Sequence, residues 1–131
     1  MRVLALDYGA ARTGVAISDA TGTLARPLTV VERAASEAGL RQLAALVAAE
    51  EAERIVVGLP LTLKGDHGAQ ADETAQFVEA LRATVDVPVE SFDERFTTAL
   101  AASGPSSRAP EDARAAAHLL ESYLTWTSGK A

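Results

Sequence analysis

Residues 2–19 read RVLALDYGAARTGVAISD, and the reading of this stretch decides the fold. Val3 to Leu6 is an unbroken apolar run, the pattern of a strand covered on both faces. The run ends on Asp7, and Gly9 marks a turn. Thr13 to Ser18 then predicts a second strand, joined to the first by a short connection. An ionised carboxylate at the end of a buried strand is costly unless a cation or strong donors compensate it. Asp7 therefore has two readings on this window alone: a cap that bonds the backbone N–H groups of its own turn, or a cation ligand.

The chain beyond extends the pattern. Asp19-Ala20-Thr21-Gly22 is a turn, and Thr23 to Val31 predicts a third strand whose Pro27 favours an edge or irregular position. Ser36 is placed to cap a helix running to about Glu51, with Leu40, Leu43, Ala44 and Val47 as its apolar stripe. Glu50, Glu51 and Glu53 are expected on a solvated face. Ile55-Val56-Val57 predicts a short buried strand, followed after a loop by a helix carrying Thr74, Phe77, Val78 and Leu81 at helical spacing. Val87 to Phe92 predicts a fifth strand that exits at Asp93-Glu94-Arg95. Thr97 and Thr98 suit the start of a short helix, and Pro110 the first turn of the last one. Three antiparallel strands followed by two parallel strands alternating with helices make a five-stranded mixed α/β sheet. Its ligand site is expected beyond the carboxyl ends of the strands, where Asp7 and Asp93-Glu94 fall.

The last helix supplies a third acid. At 100° per residue, Asp112 shares an azimuth with Ala116, Leu119, Leu120 and Tyr123, to within about 80°, so a carboxylate heads the apolar stripe. Glu111 favours the helix N-terminus electrostatically. Unpaired inward acids are rare, which favours a functional Asp112. Asp93 and Glu94 are neighbours, so at most one of them faces Asp7. Parity groups Asp93 with Val87 and Val89, and Glu94 with Phe92, but at a strand exit it does not choose between them. Carboxylates on two strand ends and one helix start suit hard divalent ions, Mg²⁺ or Mn²⁺. Two such ions roughly 4 Å apart serve phosphodiester hydrolysis.

Composition sets the outer bounds. The 131 residues are 48% hydrophobic and 23% charged, which predicts one ordered domain over 1–131. The 12 basic and 18 acidic residues give a net charge of −6, which argues against a non-specific nucleic-acid coat. With no cysteine, disulfides and thiolate metal sites are excluded. No basic leader or apolar segment of ~20 residues is seen, so a cytoplasmic protein without membrane contact is expected.

Four stretches together resemble the YqgF/RuvX family, Holliday-junction-resolvase-like nucleases implicated in maturing the 5′ end of pre-16S ribosomal RNA. They are LDYGAARTGVAISD (Leu6 to Asp19), VGLPLTLKG (Val57 to Gly65), FDERFTTALA (Phe92 to Ala101) and DARAAAHLLESYL (Asp112 to Leu124). The resemblance implies a ribonuclease H-like fold and a catalytic, metal-binding triad of Asp7, Glu94 and Asp112, with Asp93 as the alternative to Glu94. It implies a nucleic-acid substrate, pre-rRNA or branched DNA. Two departures stand out: a short segment between Ala101 and Asp112, and Ala109-Pro110-Glu111 where basic side chains are usual. Both lower the positive charge available, leaving Arg12, Arg26, Lys64, Arg95 and Arg108 as candidate substrate contacts, with Arg12 and Arg95 beside triad segments. A monomer or a homodimer is compatible with the sequence, and Tyr123 and Trp126 are either contact residues or packing. Two other classes compete. One is a non-catalytic ribosome-assembly factor on an inherited fold. The other is a phosphotransferase of the actin-like ATPase superfamily, whose members also carry Asp-x-Gly before a hairpin but close two domains over a nucleotide.

Overall fold

A computed structural model describes residues 1–59, 69–93 and 111–128. The elements are β1 (Val3–Asp7), β2 (Arg12–Ser18), β3 (Ala25–Glu32), α1 (Glu37–Glu50), β4 (Arg54–Leu59), α2 (Ala69–Arg82), β5 (Val89–Asp93) and α3 (Glu111–Ser128). The strands form one sheet in the order β3-β2-β1-β4-β5. β1 to β3 pair antiparallel, whereas β1–β4 and β4–β5 pair parallel. This is the mixed sheet expected from the order of apolar runs. β1 lies at its centre, which is why Val3 to Leu6 carries apolar side chains on both faces.

Alternation along the strands builds two cores. On one face Leu4, Leu6, Val15, Ile17, Ile55 and Val57 pack with Leu43 of α1 and Phe77, Val78 and Leu81 of α2. On the other, Val3, Ala5, Ala16, Val56 and Phe92 meet Ala116, Ala117, Leu119, Leu120, Tyr123 and Leu124 of α3. Small residues on both sides of that second interface let α3 lie close to the sheet.

Turn and cap chemistry set the element ends. Ser36 caps α1, accepting a hydrogen bond from Gly39 N at 3.0 Å. Asp19 closes the β2–β3 hairpin by accepting from Thr21 Oγ1 at 2.7 Å, Thr23 N at 2.9 Å and Leu24 N at 3.2 Å. Those donors hold its carboxyl down at about 2, with the Thr21 hydroxyl the largest cause. Pro27 falls on the edge strand β3, where the register shifts: Ala16 pairs with Pro27 but Val15 with Thr29. Leu28 is the extra residue of that bulge, so the missing N–H of Pro27 falls at an irregularity. β5 starts two residues later than its apolar run, because Pro88 can offer only its carbonyl, which Ile55 N bonds at 2.9 Å. Glu50 is also less solvated than expected, its carboxylate lying 3.5 Å from Arg26.

Candidate active site

Asp7 is the last residue of β1 and is half-buried. Its alternation with Val3 and Ala5, both packed under α3, directs its side chain to the α3 face. The next residue, Tyr8, turns to the opposite face and stacks on Phe77 of α2, ring centroids 4.5 Å apart at 20°. That stack pins the strand exit. Burial, with the Glu73 carboxylate beside it, raises the Tyr8 hydroxyl above its usual 10.0. Gly9 completes the turn: a Cβ there would lie 2.5 Å from the Arg12 carbonyl oxygen.

The register partner of Asp7 is Gly14, so the two residues face each other across β1 and β2 with Cα atoms about 5 Å apart. Gly14 is where α3 meets the sheet. A Cβ built on it would stand 1.8 Å from the carbonyl oxygen of Asp112 and 2.9 Å from the Ala113 nitrogen. The first turn of α3 therefore rests its main chain directly on the glycine opposite Asp7. The inward azimuth read for Asp112 holds, since Ala116, Leu119, Leu120 and Tyr123 are all buried against the sheet. Asp112 itself remains partly open to solvent. The end of the central strand, which carries Asp7, and the start of the last helix, which carries Asp112, thus lie on the same face of the sheet, either side of Gly14.

Arg12, exposed at the start of β2, reaches Asp112: its Nε lies 3.3 Å from Oδ2. The cross-strand partner of Arg12 is Glu32 on β3. Arg26 belongs elsewhere. It pairs with Ile17 near the opposite end of the sheet, and its guanidinium lies 3.5 Å from Glu50 of α1.

On β5, Phe92 packs under α3 while Val89 belongs to the opposite core. Asp93 ends β5 and shares the strand parity of Val89. Glu94, Arg95, Lys64 and Arg108 lie outside the described residues, as does the short helix expected after Thr97. Among the described residues no three acidic or histidine side chains come together as a metal-binding group. The donors that Asp7 and Asp112 offer are hard carboxylate oxygens in a chain without cysteine, a donor type that fits Mg²⁺ or Mn²⁺ rather than a thiophilic ion.

A second polar group lies at the other end of the α3 face. Tyr123 Oη donates to Glu90 Oε1, and Arg54 donates to Tyr123 Oη at 3.1 Å and to Glu90 Oε1 at 3.3 Å. Burial and the Glu90 carboxylate push the Tyr123 hydroxyl up. Trp126, 42% exposed, packs edge-on against Phe92 with centroids 5.7 Å apart. Tyr123 is thus a packed tether between α3 and the sheet.

A family model described as RuvX, Holliday junction resolvase, matches residues 1–126. A "Putative pre-16S rRNA nuclease" of Chloroflexus aggregans is 48% identical over 99 residues, covering 76% of this chain and 70% of the relative. One of the same description from Anaeromyxobacter sp. is 43% identical over 132 residues, covering 95% and 96%. Among solved structures, RuvC of Thermus thermophilus in complex with a Holliday junction substrate superimposes with a TM-score of 0.67 at 15% identity, covering 98% of this chain and 96% of that one. RuvC solved in a separate structure gives 0.64 at 14% identity. These two likenesses establish the fold, which is the expected ribonuclease H-like one.

Proposed function

The chain belongs to the RuvX family of Holliday junction resolvases, and from that premise we propose that it is a divalent-metal-dependent nuclease that cleaves phosphodiester bonds in maturing the 5′ end of pre-16S ribosomal RNA. The observation that supports this reading is the seating of the Asp112 main chain on Gly14, the cross-strand partner of Asp7. Carboxylates contributed by the end of a central strand and the start of a helix on the same face of the sheet are the oxygen donors a hard divalent cation takes.

In this reading Asp7 and Asp112 are two of the ligands for Mg²⁺ or Mn²⁺, and Glu94 is the third. The alternation of β5 supports Glu94 over Asp93, since the residue after Asp93 has the parity of Phe92, which packs under α3. The chemistry a pair of such cations supplies when bound is activation of an attacking water and charge stabilisation at the leaving 3′-oxygen. The chain's own contribution is placement. Tyr8 on Phe77 fixes the end of β1, and Gly14 lets α3 bring Asp112 down beside Asp7. Arg12, on the rim of this pair, is the described cation best placed to hold a substrate phosphate, and Arg95, Lys64 and Arg108 are assigned the flanking contacts. Branched DNA is the second substrate class, on the family's description as Holliday junction resolvases. The cytoplasm is the proposed site of action. Among the described residues no helix is long and apolar enough to cross a membrane.

The test is to incubate the purified protein with pre-16S leader RNA, unstructured single-stranded RNA and a four-way DNA junction, with Mg²⁺, Mn²⁺ or EDTA. Cleavage of the leader RNA with metal, lost in EDTA and in Asp7→Asn and Asp112→Asn, is the expected result. Binding of the leader RNA without cleavage under every condition would replace the nuclease by a non-catalytic assembly factor, a role compatible with the net charge of −6.

A further inference from the structure

Resting on the metal-centre reading above, we infer that Arg12 is the resident counter-cation of Asp112, and that a divalent ion displaces it, so that metal loading releases the guanidinium to grip the substrate. Three observations converge on this. The Arg12 Nε stands 3.3 Å from Asp112 Oδ2, so one oxygen of the proposed ligand is already engaged by a cation. The pair is solvent-accessible, with side chains 65% and 37% exposed, so exchange needs no unfolding and the bond to be broken is weak. Finally, Arg12 begins β2 immediately after the turn that follows Asp7, with Glu32 as its cross-strand partner, so a released guanidinium still sits at the rim of the acid pair.

The physical logic is competition between cations for one carboxylate. Without metal, Arg12 compensates the charge of the Asp112 carboxylate. A divalent ion brings more charge to the same oxygen and repels the guanidinium. Freed beside the ion, Arg12 has its planar fork available for a phosphate oxygen. The same residue then opposes metal binding and favours substrate binding. By linkage, metal and nucleic acid reinforce each other's binding through it, since a phosphate that engages Arg12 also vacates Asp112 for the ion.

The inference is tested with Mn²⁺ alone, in the absence of nucleic acid, by titration calorimetry on the full chain. Wild type is compared with Arg12→Ala and Arg12→Gln, whose folding is checked by circular dichroism. Both variants are expected to bind Mn²⁺ more tightly than wild type, by about two- to five-fold at low ionic strength, the scale of an exposed ion pair. The gain should shrink in ~0.5 M salt, where exposed pairs are screened. In EDTA, the salt dependence of single-stranded RNA binding should be nearly the same for wild type and Arg12→Gln, because Arg12 is then occupied. With Ca²⁺ present, wild type should show a slope steeper by about one phosphate contact, and Arg12→Gln should not. Mn²⁺ affinity that is unchanged or weakened in both variants, while wild type binds the ion, would overturn the displacement and leave the metal centre standing. Wild type that binds no Mn²⁺ would remove the metal centre itself, and this inference with it.

Discussion

Gly14→Ala is the smallest change that separates the packing of α3 from the chemistry of its acids. The added methyl would lie 1.8 Å from the Asp112 carbonyl oxygen and 2.3 Å from its carbonyl carbon, both main-chain atoms that cannot rotate away. Real contacts of this kind essentially never fall below 3.0 Å, so the start of α3 must retreat by at least 1.2 Å (3.0 minus 1.8) or β2 must bend. Overpacking of this sort costs about 1–3 kcal/mol. For 131 residues, an unfolding entropy of roughly 0.28 kcal/mol/K converts this to a fall in Tm of about 4–11 °C. The displaced residue is Asp112, and a misplacement of about 1 Å at a catalytic group can cost on the order of 10²-fold in rate. Differential scanning calorimetry and Mn²⁺-dependent cleavage of leader RNA should fall together. A Gly14→Ala protein with wild-type Tm and wild-type activity would refute the claim that the α3 main chain rests on this glycine.

Two further predictions concern protonation. Asp19 should titrate near 2 rather than at the ordinary 3.8, a depression that makes its contribution to the β2–β3 turn complete above about pH 4 and lost as the pH falls through 2; a carboxyl ¹³C NMR titration with a midpoint near 3.8 would contradict the turn geometry. Both tyrosines of the chain, Tyr8 and Tyr123, should ionise above 10.0, because burial and a neighbouring carboxylate favour the neutral phenol in each. Since the folded values are raised, this contribution to stability is fully present below pH 10 and is lost as the pH climbs through the folded values. A phenolate absorbance titration of the native protein with a midpoint at or below 10 for either residue would count against the Tyr8–Phe77 or Tyr123–Glu90 contacts.

Much of this architecture can be read from side-chain patterns, because the patterns have local causes. The apolar run of β1, the alternation of β2 and the 3.6-residue stripe of α3 each follow from which face meets the core. They placed Asp7 at a strand end and Asp112 on the inward face of its helix. What is not legible depends on residues far apart in sequence. Gly14 sits inside a strand pattern, where an isolated glycine signals close approach of another backbone. Nothing local says that the approaching chain starts about a hundred residues later. The Arg12–Asp112 pair spans the same gap, so Arg12 reads in sequence as a free phosphate contact and in the structure as a partner of Asp112. Parity does not separate Asp93 from Glu94 at the strand exit, and Glu94 lies outside the described residues. Arg26 reads in sequence as a candidate substrate contact and Glu50 as a solvated charge, yet the docking of α1 beside β3 brings them together.

The central claim is that Asp7 and Asp112 form one divalent-metal site, and thermal melting of wild type, Asp7→Asn and Asp112→Asn with and without Mn²⁺ tests it most directly. At a hundredfold excess of Mn²⁺ over its dissociation constant, mass action stabilises the wild type by about 2.7 kcal/mol, or roughly 10 °C for a chain of this length. Each variant should lose most of that gain. Metal-free Asp7→Asn should melt no lower than wild type, because it relieves repulsion between neighbouring carboxylates while keeping the shape of the side chain. A wild type indifferent to Mn²⁺, together with a clear drop in the melting temperature of metal-free Asp7→Asn, would show instead that Asp7 is a turn cap and that the two acids are not a metal site.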